Sequence, residues 1–224
     1  MLTWLYWLRN KHGGLILQPN SPTSYARFEH ISRNWDQKFD KFVARVNPGE
    51  YYLTGNDELI YTRLGSCISA CIYDDKLGIG GLNHFLLPEA GKYERQIAAD
   101  SYCCRYGNWA MEQLINGILS RGGSRFNLKA KIFGGASIGN QIKTNIGQLN
   151  ISFVYSYLDT ENIPILAQDV GGIWPRKVLF NPTSGKAMVK RLASEAIEML
   201  DTQEERYLDS ISKKPKNGDI ELFD

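Results

Sequence analysis

The stretch from Cys67 to Leu87 constrains the fold more than any other part of the chain. It reads Cys-Ile-Ser-Ala-Cys-Ile-Tyr, then Asp-Asp-Lys-Leu-Gly, then Ile-Gly-Gly-Leu-Asn-His-Phe-Leu-Leu. Two apolar runs of strand length bracket a short polar segment that ends in glycine. That pattern is an antiparallel hairpin, and it commits the chain to a sheet.

The rest of the chain supplies partners for this hairpin. Tyr51 to Thr54 and Ile60 to Thr62 read as short strands separated by the Gly55-Asn56-Asp57 turn signal. Ile97 to Arg121 is the best helix, with Tyr102, Tyr106, Trp109, Leu114 and Ile118 near helical spacing and Gly122-Gly123 as its stop. Leu128 to Phe133, Ile151 to Leu158, Pro164 to Val170 and Lys177 to Phe180 read as strands. A second helix is expected from about Lys186 to Leu208, and the tail from Ser210 is polar. Residues 1–48 are weakly patterned, with Trp4, Trp7 and Leu8 as one face of a short helix. The expected organisation is an N-terminal extension over 1–48, one domain over 49–192, and a C-terminal helix and polar tail over 193–224. The fold class is α+β, a mixed α/β sandwich with two main helices flanking mixed sheets.

Composition excludes several classes. The 224 residues are 43% hydrophobic and 22% charged, which rules out a disordered chain, a collagen-like repeat and a disulfide miniprotein. A net charge of +2 leaves no electrostatic footprint for nucleic acid. At the N-terminus the apolar residues precede the basic ones, the reverse of a signal peptide, and no segment reaches spanning length. A cytoplasmic chain without membrane insertion is expected. Its cysteines, Cys67, Cys71, Cys103 and Cys104, are then reduced. Their spacings, with His12, His30 and His84 scattered, do not form a zinc pattern, so no metal is expected.

Closing the hairpin with Tyr73 opposite Gly78 sets Cys67 directly opposite His84, on one face of the ladder. A cysteine with a neighbouring imidazole is a plausible nucleophile, because the imidazolium lowers the thiol pKa and the same ring later protonates a leaving amine. Leu64-Gly65-Ser66 before the cysteine is a turn whose backbone N–H groups can face a developing oxyanion. The Thr62 hydroxyl can hold the ring. Each residue also has an ordinary reading: a core cysteine, a satisfied core histidine, a strand threonine.

Several further segments converge on one family. Thr62-Arg63-Leu64-Gly65-Ser66-Cys67 and Gly80-Gly81-Leu82-Asn83-His84-Phe85-Leu86-Leu87-Pro88 resemble the signature of the chemoreceptor glutamine deamidases, the CheD family. Pro48-Gly49-Glu50-Tyr51-Tyr52, Arg105-Tyr106-Gly107 and Lys131-Ile132-Phe133-Gly134-Gly135-Ala136 extend the likeness. Asn145-Ile146-Gly147, Asp169-Val170-Gly171-Gly172, Pro175-Arg176-Lys177-Val178 and Pro182-Thr183-Ser184-Gly185 carry it onward, so it runs in order from Pro48 to Leu192. The chain departs at Leu149, where many members carry Arg, and at the extra Ser184.

The resemblance implies a sandwich shared with some toxin deamidases. It also implies hydrolysis of glutamine side chains to glutamate on methyl-accepting chemotaxis receptors, extending to receptor methyl esters. The family's catalytic residues fall on Cys67, His84 and Thr62. Gly65, Ser66, Asn83, Gly134 and Gly135 are the substrate and oxyanion candidates, with Gly134 and Gly135 either a close-approach turn or an ordinary one. The implied partners are the cytoplasmic helices of the receptors, with a chemotaxis phosphatase or response regulator as a second candidate. The scheme needs no cofactor. Two other readings fit the residues: a peptidase-like cysteine hydrolase, and a non-catalytic chemotaxis adaptor.

Overall fold

The structure, a computed structural model, describes residues 6–9, 15–18, 21–86, 102–138, 146–193, 200 and 202–207. The side chains of 6–9, 15–18 and 102–106 are not described. The expected helix start over 97–101 and the tail from Ser210 lie outside these residues.

Two five-stranded mixed sheets pack face to face, and two helices cover the outer side of one of them. The first sheet runs β10 (Ile165–Val170), β9 (Leu128–Gly134), β7 (Ile68–Asp74), β8 (Ile79–Asn83), β5 (Tyr51–Thr54). The second runs β12 (Ala187–Arg191), β11 (Arg176–Phe180), β6 (Leu59–Leu64), β4 (Lys41–Arg45), β3 (Arg33–Asp36). Parallel pairs join β10 to β9 and β4 to β6, and the other neighbours are antiparallel. Helices α1 (Tyr102–Leu119) and α2 (Ile146–Thr160) lie on the first sheet. A separate antiparallel ribbon pairs β1 (Tyr6–Arg9) with β2 (Leu15–Gln18). No described helix is long and apolar enough to cross a membrane.

Strand β7 is the centre of this arrangement, and all seven of its residues are buried. Alternation explains why: one face meets the helices and the other meets the second sheet, so neither can be polar. Phe85, beyond β8, meets Phe153 of α2 edge to face at 5.6 Å. Tyr73 meets Phe180 of β11 at 5.8 Å from the opposite face.

Four expectations change. Residues 151–158 are not a strand but the body of α2. Their β-branched and aromatic residues suit either element, yet Ile146, Gly147, Asn150, Ile151, Val154 and Leu158 are buried at helical spacing. Residues 187–191 form β12, an edge strand paired to β11, and the described residues beyond it that are helical are Leu200 and 202–207. Trp7 and Leu8 lie in β1, a strand and not a helix. Within the weakly patterned first 48 residues, β3 and β4 complete the second sheet, with Phe42 and Ala44 inward and Arg33 to Asp36 as a polar edge.

Candidate active site

The hairpin closes one residue later than expected, with Asp74 opposite Ile79 and Tyr73 opposite Gly80. The reason is local. Asp74 Oδ1 accepts from the N–H groups of Lys76 and Leu77 at 2.9 Å, making Asp74 the first residue of the turn. Gly78 takes φ +70 and therefore belongs to the turn, not to the ladder. The bridge between Ile68 and Phe85 continues the same register, so His84 stands opposite Ser69 and Cys67 opposite Leu86. The shift moves each pairing by two residues, which preserves the face. Cys67 and His84 remain on one face as diagonal neighbours, which lie typically about 7–8 Å apart with their Cβ atoms somewhat closer.

That face looks into the sandwich, where β6 presents Thr62. Thr62 Oγ lies 2.8 Å from the Val46 carbonyl and 2.8 Å from His84 Nδ1. A hydroxyl has one proton to give, and the carbonyl can only accept it. The hydroxyl therefore accepts from Nδ1–H, and this fixes the tautomer with the lone pair on Nε2. His84 Nε2 is buried and has no hydrogen-bond partner among the described residues. Burial depresses the imidazole to a pKa of about 3, so the ring is neutral.

The loop before Cys67 is braced from behind, one carbonyl at a time. Ala136 N–H donates to Gly65 O at 2.8 Å, Asn150 Nδ2 to Ser66 O at 2.8 Å, and Gly135 N–H to Cys67 O at 2.7 Å. With the carbonyls held on that side, the three N–H groups turn the other way. Gly134 (φ +112) makes this approach possible, since a β-carbon there would lie 2.1 Å from Cys67 O. Arg176 secures the turn further, donating to Gly171 O at 2.7 Å and to Asp169 Oδ1 at 2.8 Å. Gly134 and Gly135 thus back the cysteine loop itself.

Glu204, from the helical segment 202–207, fills the cradle. Its Oε1 accepts from Gly65 N–H at 3.0 Å and Cys67 N–H at 3.2 Å. Its Oε2 accepts from Ser66 N–H at 3.1 Å and Ser66 Oγ–H at 2.5 Å. Burial, then the charge of Glu204 and a hydrogen bond to it, push the Cys67 thiol well above its ordinary range.

The structure therefore gathers Cys67, His84, Thr62, Gly65 and Ser66, with Gly134 and Gly135 behind them. Asn83 stands apart on the other face. Its Oδ1 accepts from Ala70 N–H at 2.9 Å and its Nδ2 donates to Ala110 O of α1 at 3.2 Å. Sequence reading missed Asn150, Arg176 and Glu204. Arg176 had a signal in its Pro-Arg-Lys-Val segment, whereas nothing in Thr202-Gln203-Glu204-Glu205 marks one carboxylate for a loop far away in the chain. An open depression of about 470 Å³ along α2 and the start of β10 contains none of these residues.

Comparison with known proteins bears on the family of the chain. A family model described as "CheD chemotactic sensory transduction" matches residues 86–191. A protein of Saccharophagus degradans named "Probable chemoreceptor glutamine deamidase CheD" is 46% identical over 200 residues, covering 88% of this chain and 91% of its own. A protein of the same name from Hahella chejuensis is 46% identical over 203 residues, covering 90% of this chain and 95% of its own. A Vibrio cholerae protein, again of that name, is 41% identical over 216 residues, covering 93% and 88%. With identity of this order sustained over most of both sequences, the chain belongs to the CheD family.

Proposed function

We propose that this protein hydrolyses glutamine side chains of chemotaxis receptors to glutamate and ammonia, with Cys67 as nucleophile, His84 as base and acid, and Thr62 holding the ring. The observation that carries this reading is His84 itself. It is a neutral imidazole locked by Thr62 at Nδ1, with an unpartnered Nε2, on the sheet face it shares with Cys67. A buried nitrogen without a partner costs stability, and such a cost is borne where the atom has chemistry to do.

His84 Nε2 takes the Cys67 thiol proton as sulfur adds to the glutamine Cδ, and the carbonyl oxygen becomes an oxyanion facing the N–H groups of Gly65, Ser66 and Cys67. The tetrahedral centre collapses with loss of the C–N bond. The proton on His84 goes to the departing nitrogen, which leaves as ammonia. A water then adds to the thioester carbonyl, giving its proton to His84. Cleavage of the C–S bond returns the sulfur to the thiol and frees glutamate. Receptor methyl esters would follow the same path with methanol leaving.

The names of the relatives support chemoreceptors as substrates. We place the reaction in the cytoplasm, on the receptors' cytoplasmic helices, as part of chemotactic adaptation, with a chemotaxis phosphatase or response regulator as the candidate controlling partner. The test is to incubate the full chain with a cytoplasmic receptor fragment and map glutamine-to-glutamate conversions by mass spectrometry. Conversion at defined glutamines with ammonia release, lost in Cys67→Ala, is expected. Backbone cleavage in place of deamidation would favour a peptidase, and no reaction at all an adaptor.

A further inference from the structure

The cradle that the mechanism assigns to an oxyanion already holds an anion. Four donors converge on the two carboxylate oxygens of Glu204, at 2.5 to 3.2 Å. The residue is 1% exposed, and among the described residues no cation lies within ion-pair distance of it. A buried carboxylate without a cation is costly unless N–H and O–H donors satisfy it, as these do. Chemically, the group in the cradle is a glutamate side chain, the same group that deamidation of a glutamine yields.

The segment that carries it is anchored on both sides of the site. Leu200 packs on Ala136 and Ile138, just past the Gly134-Gly135 turn. The Tyr207 ring lies on Gly49, where a β-carbon would fall 2.5 Å from it, and Gly49 N–H donates to His84 O at 2.8 Å. Between these anchors Gln203 lines a small cleft together with His84. Beneath this segment Cys67 is 0% and His84 2% exposed. No receptor helix can bring a glutamine to that sulfur while the segment stays in place.

We infer that the helical segment 202–207 is a built-in product mimic, occupying the cradle with Glu204 and keeping the enzyme closed until a receptor glutamine displaces it. The inference rests on the deamidase reading above and adds to it how that site is controlled. The charge of Glu204 also helps to hold the thiol in its unreactive protonated form. A site available only in a minor open form loses apparent affinity in proportion to that form's population.

The experiment compares wild type, Glu204→Ala and Tyr207→Ala as full chains, reading Cys67 alkylation by iodoacetamide and the KM and kcat of receptor-fragment deamidation. With an open form populated to about 10% or less, Glu204→Ala should alkylate at least about tenfold faster and show a correspondingly lower KM with little change in kcat. Tyr207→Ala leaves the cradle intact, so it should move both readouts the same way by loosening the anchor. It also decides the matter should Glu204→Ala not fold. Unchanged or slower alkylation in both variants, at unaltered melting temperature, would make Glu204 a permanent brace and overturn the inference. Faster alkylation without deamidation in any form would leave the closure standing and defeat the deamidase reading instead. Wild-type deamidation with unaltered alkylation and KM in both variants would do the opposite.

Discussion

Thr62 shows how much one hydroxyl can decide. It gives its proton to Val46 O and takes one from His84 Nδ1, so a single side chain fixes the ring and its tautomer. Thr62→Val keeps the shape and removes both bonds. Leaving a buried carbonyl and a ring nitrogen unpaired costs about 1–3 kcal/mol of stability. The rate should fall by about 10–100-fold, less than the loss expected for a general base itself. Thr62→Ser, which restores the hydroxyl, should recover most of the rate. Ammonia release with thermal melts on both variants checks this, and equal rates in Thr62→Val and wild type would remove Thr62 from the site. Cys67, His84 and Thr62 can be proposed as a site from the sequence because each is chemically distinctive in its segment. Their exact pairing was not legible there, since one Asx turn at Asp74 reset the ladder by two positions.

At the scale of elements, what the sequence concealed was context. Ile151 to Leu158 has strand-like composition, and only the packing of one stripe onto β7 and β9 selects the helix. The identity of α2 matters for the site, because a helix there is what brings Asn150 to the Ser66 carbonyl. Asn150→Ala should strip that carbonyl of its donor and cost about 1–3 kcal/mol in denaturant titrations. Faster amide exchange at Gly65 to Cys67 should accompany it, and protection equal to wild type would show that the loop holds without α2. The Gly134 turn is less forgiving. Gly134→Ala combines a left-handed φ with a backbone contact of 2.1 Å to Cys67 O. It should destabilise by about 3 kcal/mol or more, and a wild-type melting temperature would contradict the close approach.

At the scale of the whole molecule, the two sheets meet across His84, so its ionisation is tied to global stability. The buried ring has a pKa of about 3 against 6.5 for a free histidine. As pH falls through 6.5 the unfolded chain takes up a proton that the folded chain refuses until about 3. The unfolded state therefore binds more protons in that window, and stability is greatest above 6.5 and is lost as pH falls toward 3. The steepest loss is about 1.4 kcal/mol per pH unit. Asp74 adds acid sensitivity of its own. Burial works to raise its pKa, but the N–H groups of Leu77, Ser124 and Lys76 outweigh that and hold it below 3.8. Its contribution therefore disappears at lower pH, which leaves the interval from about pH 6.5 to 4.5 to His84. Denaturant midpoints across that interval should slope downward toward acid in wild type and flatten in His84→Gln. A flat wild-type profile would mean that the folded ring takes up its proton as readily as the unfolded one, and the burial that depresses His84 would be refuted.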